Sequence, residues 1–136
     1  MLKKLLTVFM VLVISVCCIS STVSAAEIKD EISPMATYAK EARSELTKTG
    51  TTAKCYSYAF GSNSVTSIVI NQTLQKKTSS GTWQFVAHWN GTVTGNEGSV
   101  TNYQYNLSSG TYRLKSDFTF LTSSGFEQIT VYSSEK

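Results

Sequence analysis

The stretch "GTYRLKSDFTFLTSSGFEQITVYS" (Gly110–Ser133) alternates strictly between two sets of side chains. One set of alternate positions holds Tyr112, Leu114, Ser116, Phe118 and Phe120. The other set holds Arg113, Lys115, Asp117 and Thr119. A period of two predicts an antiparallel strand with one buried face. Residues 121–125 (LTSSG) then predict a hairpin loop, and residues 126–133 predict the returning strand, with Ile129 and Val131 inward.

The chain after Gly50 continues in the same manner. Short segments rich in Ser, Thr, Asn and aromatic residues are separated by turn signals about every 8–12 residues. Residues 51–60, 65–77, 82–93 and 99–107 are predicted as strands. The sequence therefore predicts an all-β fold, a single Ig-like antiparallel β-sandwich of about seven strands. Residues 37–46 fit a helix or a first edge strand, and the sequence leaves both open.

Two of these strands gather aromatic side chains on one face. In residues 51–60, one face holds the small residues Ala53, Cys55, Ser57 and Ala59, and the other holds Lys54, Tyr56, Tyr58 and Phe60. In residues 82–93, a plain strand places Trp83, Phe85, Trp89 and Val93 on one face. Residues 99–107 place Tyr103, Tyr105 and Leu107 together by the same rule.

One residue departs from the pattern of its strand. Gln72 lies on the face that carries Ile68, Ile70 and Leu74. Because an unsatisfied buried amide costs about 1–3 kcal/mol, we expect either a bend in the strand or a hydrogen-bond partner for Gln72.

The first 26 residues have the form of a secretion signal. Lys3 and Lys4 precede an apolar run over residues 5–19, and Ser24-Ala25-Ala26 fits a cleavage site. The apolar run is shorter than the roughly 20 residues that span a bilayer. We therefore predict a signal peptide (1–26), a flexible leader (27–36) and a β-sandwich domain (37–136). The protein is expected to be secreted and extracellular, with no membrane span after cleavage.

The charge balance argues against nucleic acid as a partner. The whole chain has 12 basic and 9 acidic residues, and loss of Lys3 and Lys4 leaves 10 − 9, or +1. Binding to nucleic acid usually needs a basic surface. We expect no nucleic-acid partner.

Cysteine and histidine are too few for most cofactor sites. Cys17 and Cys18 lie in the signal, so Cys55 alone remains, and His88 is the only histidine. A four-ligand zinc site cannot be built from one of each, and no calcium or phosphate loop is present. We predict no metal and no cofactor. Cys55 is expected to be a buried small hydrophobe, with pairing between two chains as the alternative.

Few residues could serve catalysis. Asp117 and Glu127 face each other across the last hairpin and could approach as the carboxylate pair of a glycosidase. We expect them instead to be exposed charges near Lys115 and Arg113. The protein is predicted not to be an enzyme. A weak hydrolase that uses Asp117, Glu127 or His88 is a third possible function, after a binding module and a secreted effector.

Four motifs carry a resemblance. They are "TAKC" (Thr52–Cys55), "LQKKTSSGTW" (Leu74–Trp83), "GTYRLK" (Gly110–Lys115) and "VYSSEK" (Val131–Lys136). With the signal peptide, they make the chain resemble a family of small secreted proteins from Gram-positive bacteria that is classified as a domain of unknown function. The resemblance implies a β-sandwich and no reaction or ligand.

A further stretch, "LSSGTYRLKSDF" (Leu107–Phe118), is similar to the sixth strand of fibronectin type III and Ig-like domains. That similarity implies that the hydroxyl of Tyr112 bonds back to the preceding corner.

Aromatic residues remain as candidates for binding. Exposed rings among Ser, Thr and Asn suit stacking on sugars or contact with a protein. The candidate ligand-binding residues are Tyr56, Tyr58, Phe60, Trp83 and Trp89. The alternative is that the rings of residues 51–60 form the core, or that a second layer covers them.

The function predicted from these residues is a secreted, non-enzymatic binding or interaction module for an extracellular protein or carbohydrate. The alternative is a small secreted bacteriocin-like or toxin effector. The sequence leaves the oligomeric state open.

Overall fold

The computed structural model describes residues 36–136, and every regular element in that range is a β-strand. The predicted signal peptide and all but the last residue of the predicted leader lie outside the described residues. The strands are β1 (Ala39–Thr49), β2 (Thr52–Gly61), β3 (Val65–Lys77), β4 (Trp83–Thr94), β5 (Glu97–Gln104), β6 (Tyr112–Thr122) and β7 (Phe126–Tyr132). The all-β prediction is confirmed.

These strands form two antiparallel sheets that pack as a sandwich. One sheet has three strands in the order β1-β2-β5, and the other has four in the order β4-β3-β6-β7. Strands β4 and β5 follow each other in the chain but belong to different sheets, so the chain crosses between the layers at Gly95 and Asn96. The predicted sandwich of about seven strands is therefore confirmed.

The segment that fitted both a helix and a strand is β1. Its register against β2 shifts between Ala39 and Glu41, which marks a bulge. The bulge lets Ala39, Ala42 and Leu46 all face the core, although their spacing of three and then four residues imitates a helix.

The two sheets contribute side chains of different size to the core. The four-stranded sheet supplies large residues that are completely buried: Ile68, Ile70, Leu74, Leu114, Phe118 and Phe120. The three-stranded sheet supplies mainly small ones, among them Ala42, Ala53, Cys55, Ser57 and Ala59. Because stacked sheets lie about 10 Å apart, large side chains on one inner face leave room for only small ones on the other.

A polar layer crosses the core between two apolar clusters. It consists of one residue from each of five strands: Ser44, Ser57, Gln72, Asn102 and Ser116. Gln72 Nε2 donates to Ser57 Oγ at 2.7 Å, and Asn102 Nδ2 donates to Gln72 Oε1 at 2.8 Å. Gln72 therefore has the hydrogen-bond partners that a buried amide requires.

The hydroxyl groups of this layer donate in one direction. Ser44 Oγ lies 3.2 Å from the carbonyl oxygen of Leu114, which can only accept, so Ser44 donates there. Ser116 must then donate to Ser44 (2.8 Å) and Ser57 to Ser116 (2.7 Å). The chain of donors links both sheets, and no buried side-chain nitrogen or oxygen in residues 36–136 lacks a partner.

Strand β4 differs from the plain strand that the sequence predicted. Its register against β3 shifts at Val86, which is an extra residue on the β4 side. The bulge exchanges the two faces of the strand on either side of it. Trp83 and Phe85 lie on the outer face, whereas Trp89 and Val93 face the core. The prediction that these four residues share one face is wrong.

The turn before β6 also interrupts the alternation. Asn106 has a positive φ of 57°, and beyond it Leu107 is buried while Tyr105 is 60% exposed. The prediction that Leu107 lies on the side of these tyrosines is wrong. The hydroxyl of Tyr112 donates to the backbone oxygen of Ser108 at 2.7 Å, so the hydrogen bond predicted for Tyr112 is present.

Edge strands of the two sheets meet at one side of the sandwich. Gly91 of β4 faces Val100 of β5, and Gly98 of β5 faces Val93 of β4. A Cβ atom at either glycine would lie under 3.0 Å from a valine methyl carbon. Close approach of the two strands, and not backbone conformation, therefore requires glycine at both positions.

Candidate functional site

Five aromatic rings line the outer side of the three-stranded sheet, which we call the tyrosine face. They are Tyr56, Tyr58 and Phe60 of β2, Tyr103 of β5, and Tyr105 just after β5. The small residues that alternate with the rings of β2 have no exposed surface at all. Since successive side chains of a strand point to opposite sides, the β2 rings point outward. The alternative that they form the core is wrong.

The aromatic row continues from β2 onto β5. Tyr56 is opposite Thr101, which places Tyr103 diagonally across the strand pair from Tyr56. The rings of Tyr103 and Tyr105 stack with their centroids 6.3 Å apart. At the other end of the row, Phe60 is 36% exposed. The rings thus form one surface across two strands.

Arg43 of the tyrosine face is paired with carboxylates. Arg43 Cζ lies over the ring of Tyr58, 4.6 Å from its centroid. Arg43 also pairs with Glu41 at 2.8 Å and with Glu45 at 3.8 Å. The hydroxyl of Tyr58 donates to Glu97 at 2.8 Å. This hydrogen bond, with burial and the nearby carboxylates, raises the pKa of Tyr58 above its ordinary value.

The two predicted tryptophans lie apart from this face. Trp89 faces inward and packs, partly buried, against the apolar cluster around Leu74. Trp83 lies on the outer side of the other sheet. The structure therefore brings together Tyr56, Tyr58 and Phe60, and it separates Trp83 and Trp89 from them and from each other.

Trp83 belongs to a second cluster, on the outer side of the four-stranded sheet, which we call the arginine face. Arg113 Cζ lies 4.1 Å from the centroid of the Trp83 ring and 4.3 Å from that of Tyr132. Arg113 Nε donates to Gln75 Oε1 at 2.8 Å. Phe85 is opposite Gln75 in the sheet and is 64% exposed.

The sequence did not point to Arg113 as a site residue. It placed Arg113 on the polar side of β6, which is correct. Its two aromatic neighbours come from β4 and β7, so only the pairing of strands brings them to it. A periodic pattern within one strand carries no such information.

The two carboxylates considered for hydrolysis lie on opposite sides of the sheet. Asp117 is opposite Thr130 on the outer side and pairs with Lys115 at 2.9 Å. Glu127 is opposite Phe120, whose side chain is in the core. A glycosidase needs two carboxylates flanking one bond, and this arrangement does not supply them. The approach of the two carboxylates that the sequence allowed does not occur.

Glu127 instead holds the start of β1. Its Oε1 accepts from the backbone N–H of Thr37 at 3.0 Å, and its Oε2 accepts from those of Tyr38 (2.7 Å) and Ala39 (2.8 Å). Burial alone would raise the pKa of Glu127, but the three amide donors outweigh it and hold the pKa below its ordinary value. Glu127 is thus not the exposed hairpin charge that the sequence predicted.

Cys55 and His88 do not form a reactive pair. Cys55 is completely buried, and burial raises the pKa of its thiol to about 12. Because the thiolate is the nucleophile, Cys55 is inert in the folded protein, and the prediction of a buried residue is confirmed. His88 lies on the outer side of the opposite sheet, where its Nδ1 is 3.2 Å from Thr73 Oγ1.

Within residues 36–136, no group of three or more His, Cys, Asp or Glu side chains is placed to hold a metal ion. The same residues include no helix with the length and apolar character needed to cross a membrane. Comparison with protein-family models, curated proteins and solved structures gives no match. The family resemblance that rests on the four motifs stays a prediction.

Proposed function

We propose that this chain is a secreted, non-enzymatic binding module that holds an extracellular protein against its tyrosine face. The observation that carries the proposal is the row of five outward rings above an inner face filled by small residues. Exposed large aromatic residues gathered on one surface are typical of interaction sites.

The composition of the tyrosine face favours a protein over other partners. Tyr and Arg are enriched where proteins meet, because both offer a large contact area and hydrogen bonds. Tyrosine has few rotatable bonds, and Ser and Thr beside it supply adaptable hydrogen bonds. Here Ser99 and Thr101 of β5 are exposed beside the β2 rings, since they lie opposite Tyr58 and Tyr56. Charges of both signs, including Arg43, Lys54 and Glu45, surround the rings.

The tyrosine face is small for a protein interface. Three strands with roughly 4.8 Å spacing and about ten residues in length cover on the order of 450 Å². A standard interface buries about 800 Å² of accessible surface on each partner. A flat footprint of this extent suits a contact at the small end of the range of interface sizes, and we expect a weak, rapidly exchanging complex.

The Ig-like classification is part of the same proposal. Two observations support it: the packing of a three-stranded against a four-stranded antiparallel sheet, and the hydrogen bond from the hydroxyl of Tyr112, at the start of the sixth strand, to Ser108. Within residues 36–136, the two apolar clusters and the polar layer hold the sheets together without a disulfide between them.

Site-specific crosslinking tests the proposal. A photoreactive amino acid replaces Thr101 on the tyrosine face or, as a matched control, Thr92 on the outer side of the other sheet; both threonines are exposed. The purified protein is irradiated with culture supernatant and with cell-envelope extract. We expect one extracellular protein to be crosslinked through position 101, and much less through position 92.

Variants then assign the contact. Tyr56→Ser should abolish crosslinking at position 101, whereas His88→Ala and Asp117→Ala should leave it unchanged. Equal crosslinking at both positions, or the same product after Tyr56→Ser, would show that the tyrosine face is not the site. The effector alternative stays a prediction, and growth inhibition of related strains by the purified protein would support it instead.

A further inference from the structure

We propose that the arginine face is a second binding site, and that its ligand is an acidic carbohydrate, a sugar polymer with carboxylate or phosphate groups. The site lies on the opposite side of the sandwich from the tyrosine face. It does not depend on the function proposed for that face.

The side chain of Arg113 is held in place by side chains of three other strands. Trp83 of β4 and Tyr132 of β7 lie on its two sides, with ring centroids 4.1 Å and 4.3 Å from Cζ. Gln75 of β3 accepts the hydrogen bond from Nε. An arginine ordered before binding loses less side-chain entropy when it engages a ligand.

Among residues 36–136, no carboxylate pairs with Arg113. Its cationic neighbours are paired, Lys77 with Glu135 at 3.1 Å and Lys115 with Asp117 at 2.9 Å. In the described part of the chain, Arg113 makes no ion pair, and its only hydrogen bond uses Nε. The four N–H groups of its two terminal nitrogens are therefore open to a planar anion, which a guanidinium binds through two parallel hydrogen bonds.

Uncharged groups that can form hydrogen bonds lie beside Arg113 on β3 and β4, next to the ion pair of Lys115 and Asp117 on β6. Phe85 offers an exposed ring in the same row of the sheet. In the rows beyond it, Thr73 is paired with His88, and the amides of Asn71 and Asn90 bond to each other. Hydroxyl, imidazole and amide groups beside an exposed ring match the hydroxyls and apolar patches of sugars.

The position of the site on the sheet excludes the usual mode of peptide binding. An extended peptide gains affinity by adding a strand to a free sheet edge. Arg113 and Gln75 lie on β6 and β3, the two central strands, whose backbones are already paired on both sides. A ligand of this face must therefore be recognised through side chains alone, which suits a carbohydrate better than an extended peptide.

Carboxylates and phosphates present the same paired oxygens to a guanidinium. Polymers that carry only one of these groups therefore show which of the two the site binds. Polygalacturonate supplies carboxylates, dextran phosphate supplies phosphates, plain dextran supplies neither, and poly-glutamate supplies carboxylates on a peptide. Affinity electrophoresis of the purified protein at low salt measures retardation by each polymer.

Three variants make the measurement specific. Arg113→Gln removes the charge, and Gln75→Glu keeps Arg113 but places a carboxylate where the Nε partner now lies. Arg43→Gln is the control, because Arg43 also lies over a tyrosine ring but is neutralised by Glu41 and Glu45. Melting temperatures confirm that every variant is folded.

We expect polygalacturonate or dextran phosphate to retard the natural protein, and Arg113→Gln to weaken this by about tenfold or more, as for loss of a charged hydrogen-bond pair. Gln75→Glu should weaken it similarly, and Arg43→Gln by less than about twofold, as for an exposed and already paired charge. The better of the two acidic polysaccharides identifies the anion. No retardation by either, equal effects of the two arginine variants, or retardation by poly-glutamate as strong as by the polysaccharides would overturn the proposal.

Discussion

The two arginines of this chain lie on opposite faces of the sandwich, and both lie over aromatic rings. Arg43 lies over Tyr58 on the three-stranded sheet, and Arg113 lies between Trp83 and Tyr132 on the four-stranded sheet. The difference is in the counterions. Arg43 pairs with two glutamates, whereas Arg113 contacts no carboxylate among the described residues.

This difference shows that one local contact can serve two purposes. A neutralised arginine over a ring covers apolar surface and orders the side chains around it. An arginine held in the same way without a counterion keeps its charge and most of its donors for a ligand. The charges around the stacked pair, more than the pair itself, therefore decide what each face can bind.

Both faces rest on the same core, so the largest effect should come from a change inside it. Gln72→Leu removes the amide that bonds to Ser57 and Asn102 in the middle of the polar layer. We expect a loss of about 3 kcal/mol in the free energy of unfolding, because several hydrogen bonds disappear and Asn102 loses its acceptor. Urea denaturation measures this. The neighbouring Thr73→Val, on the outer side, should change stability by much less; equal losses would mean that the polar layer has no special role.

The side where β4 meets β5 gives the next largest effect. Gly98→Ala places a methyl group against Val93 and should cost about 1–3 kcal/mol, as overpacking does. The double variant Gly98→Ala with Val93→Ala restores the space. Thermal unfolding of the single and double variants forms a cycle with an expected favourable coupling. Strict additivity of the two changes would show that the strands are not in the close contact described.

The opposite side of the sandwich is joined by Glu127, which reaches from β7 to the amide of Ala39 at the start of β1 and to the amides of the two residues before it. Glu127→Gln removes the charge that three N–H groups share and should cost about 1–2 kcal/mol near neutral pH. Asp117→Asn, on the exposed face of the same hairpin, is the control and should cost less than about 1 kcal/mol. Denaturant unfolding compares the two variants.

The stability that Glu127 contributes should also depend on pH. The pKa of Glu127 is lower in the folded protein than in the unfolded chain, so its contribution is complete above the unfolded pKa and is lost as the pH falls through the folded pKa. The gap in stability between the natural protein and Glu127→Gln should therefore narrow in acid. A gap that stays constant down to the lowest pH measured would contradict the role assigned to the three amides.

The smallest effect on stability should come from removing the carboxylates that pair with Arg43. Replacing Glu41 and Glu45 by Gln removes two surface ion pairs and should change the unfolding free energy by less than about 1 kcal/mol. If counterions decide what each face binds, this double variant should gain weak retardation by the acidic polysaccharide that the arginine face prefers. Retardation identical to that of the natural protein would show that an uncompensated arginine is not sufficient.

The sequence predicted the parts of this molecule that depend on a single strand. Strict alternation in β6 gave the inner and outer residues correctly. The misfit of Gln72 indicated either a bend or a hydrogen-bond partner, and the partner is present. The resemblance of residues 107–118 to fibronectin and Ig-like domains implied the hydrogen bond of Tyr112. Small residues alternating with rings in β2 identified the tyrosine face, although not which of its sides was buried.

The sequence failed where two strands must be aligned. The extra residue Val86 separates Trp83 from Trp89, and a bulge is set by the partner strand and not by the composition of β4. The amides that bind Glu127 lie 88 to 90 residues before it in the chain. Arg113 gains its importance from neighbours on two other strands. Such contacts follow from register, which periodicity within one segment does not specify.

The most direct test of the role of the counterions observes both arginines in one sample, so that each serves as the control for the other. Since the chain has only Arg43 and Arg113, ¹⁵N-labelled protein gives two arginine Nε–H signals in an NMR spectrum, assigned by Arg43→Gln and Arg113→Gln. On titration with the retarding polysaccharide, we predict that the signal of Arg113 shifts to saturation while that of Arg43 stays in place. Shifts of similar size in both signals, or in neither, would show that the counterions do not decide which arginine binds the polysaccharide.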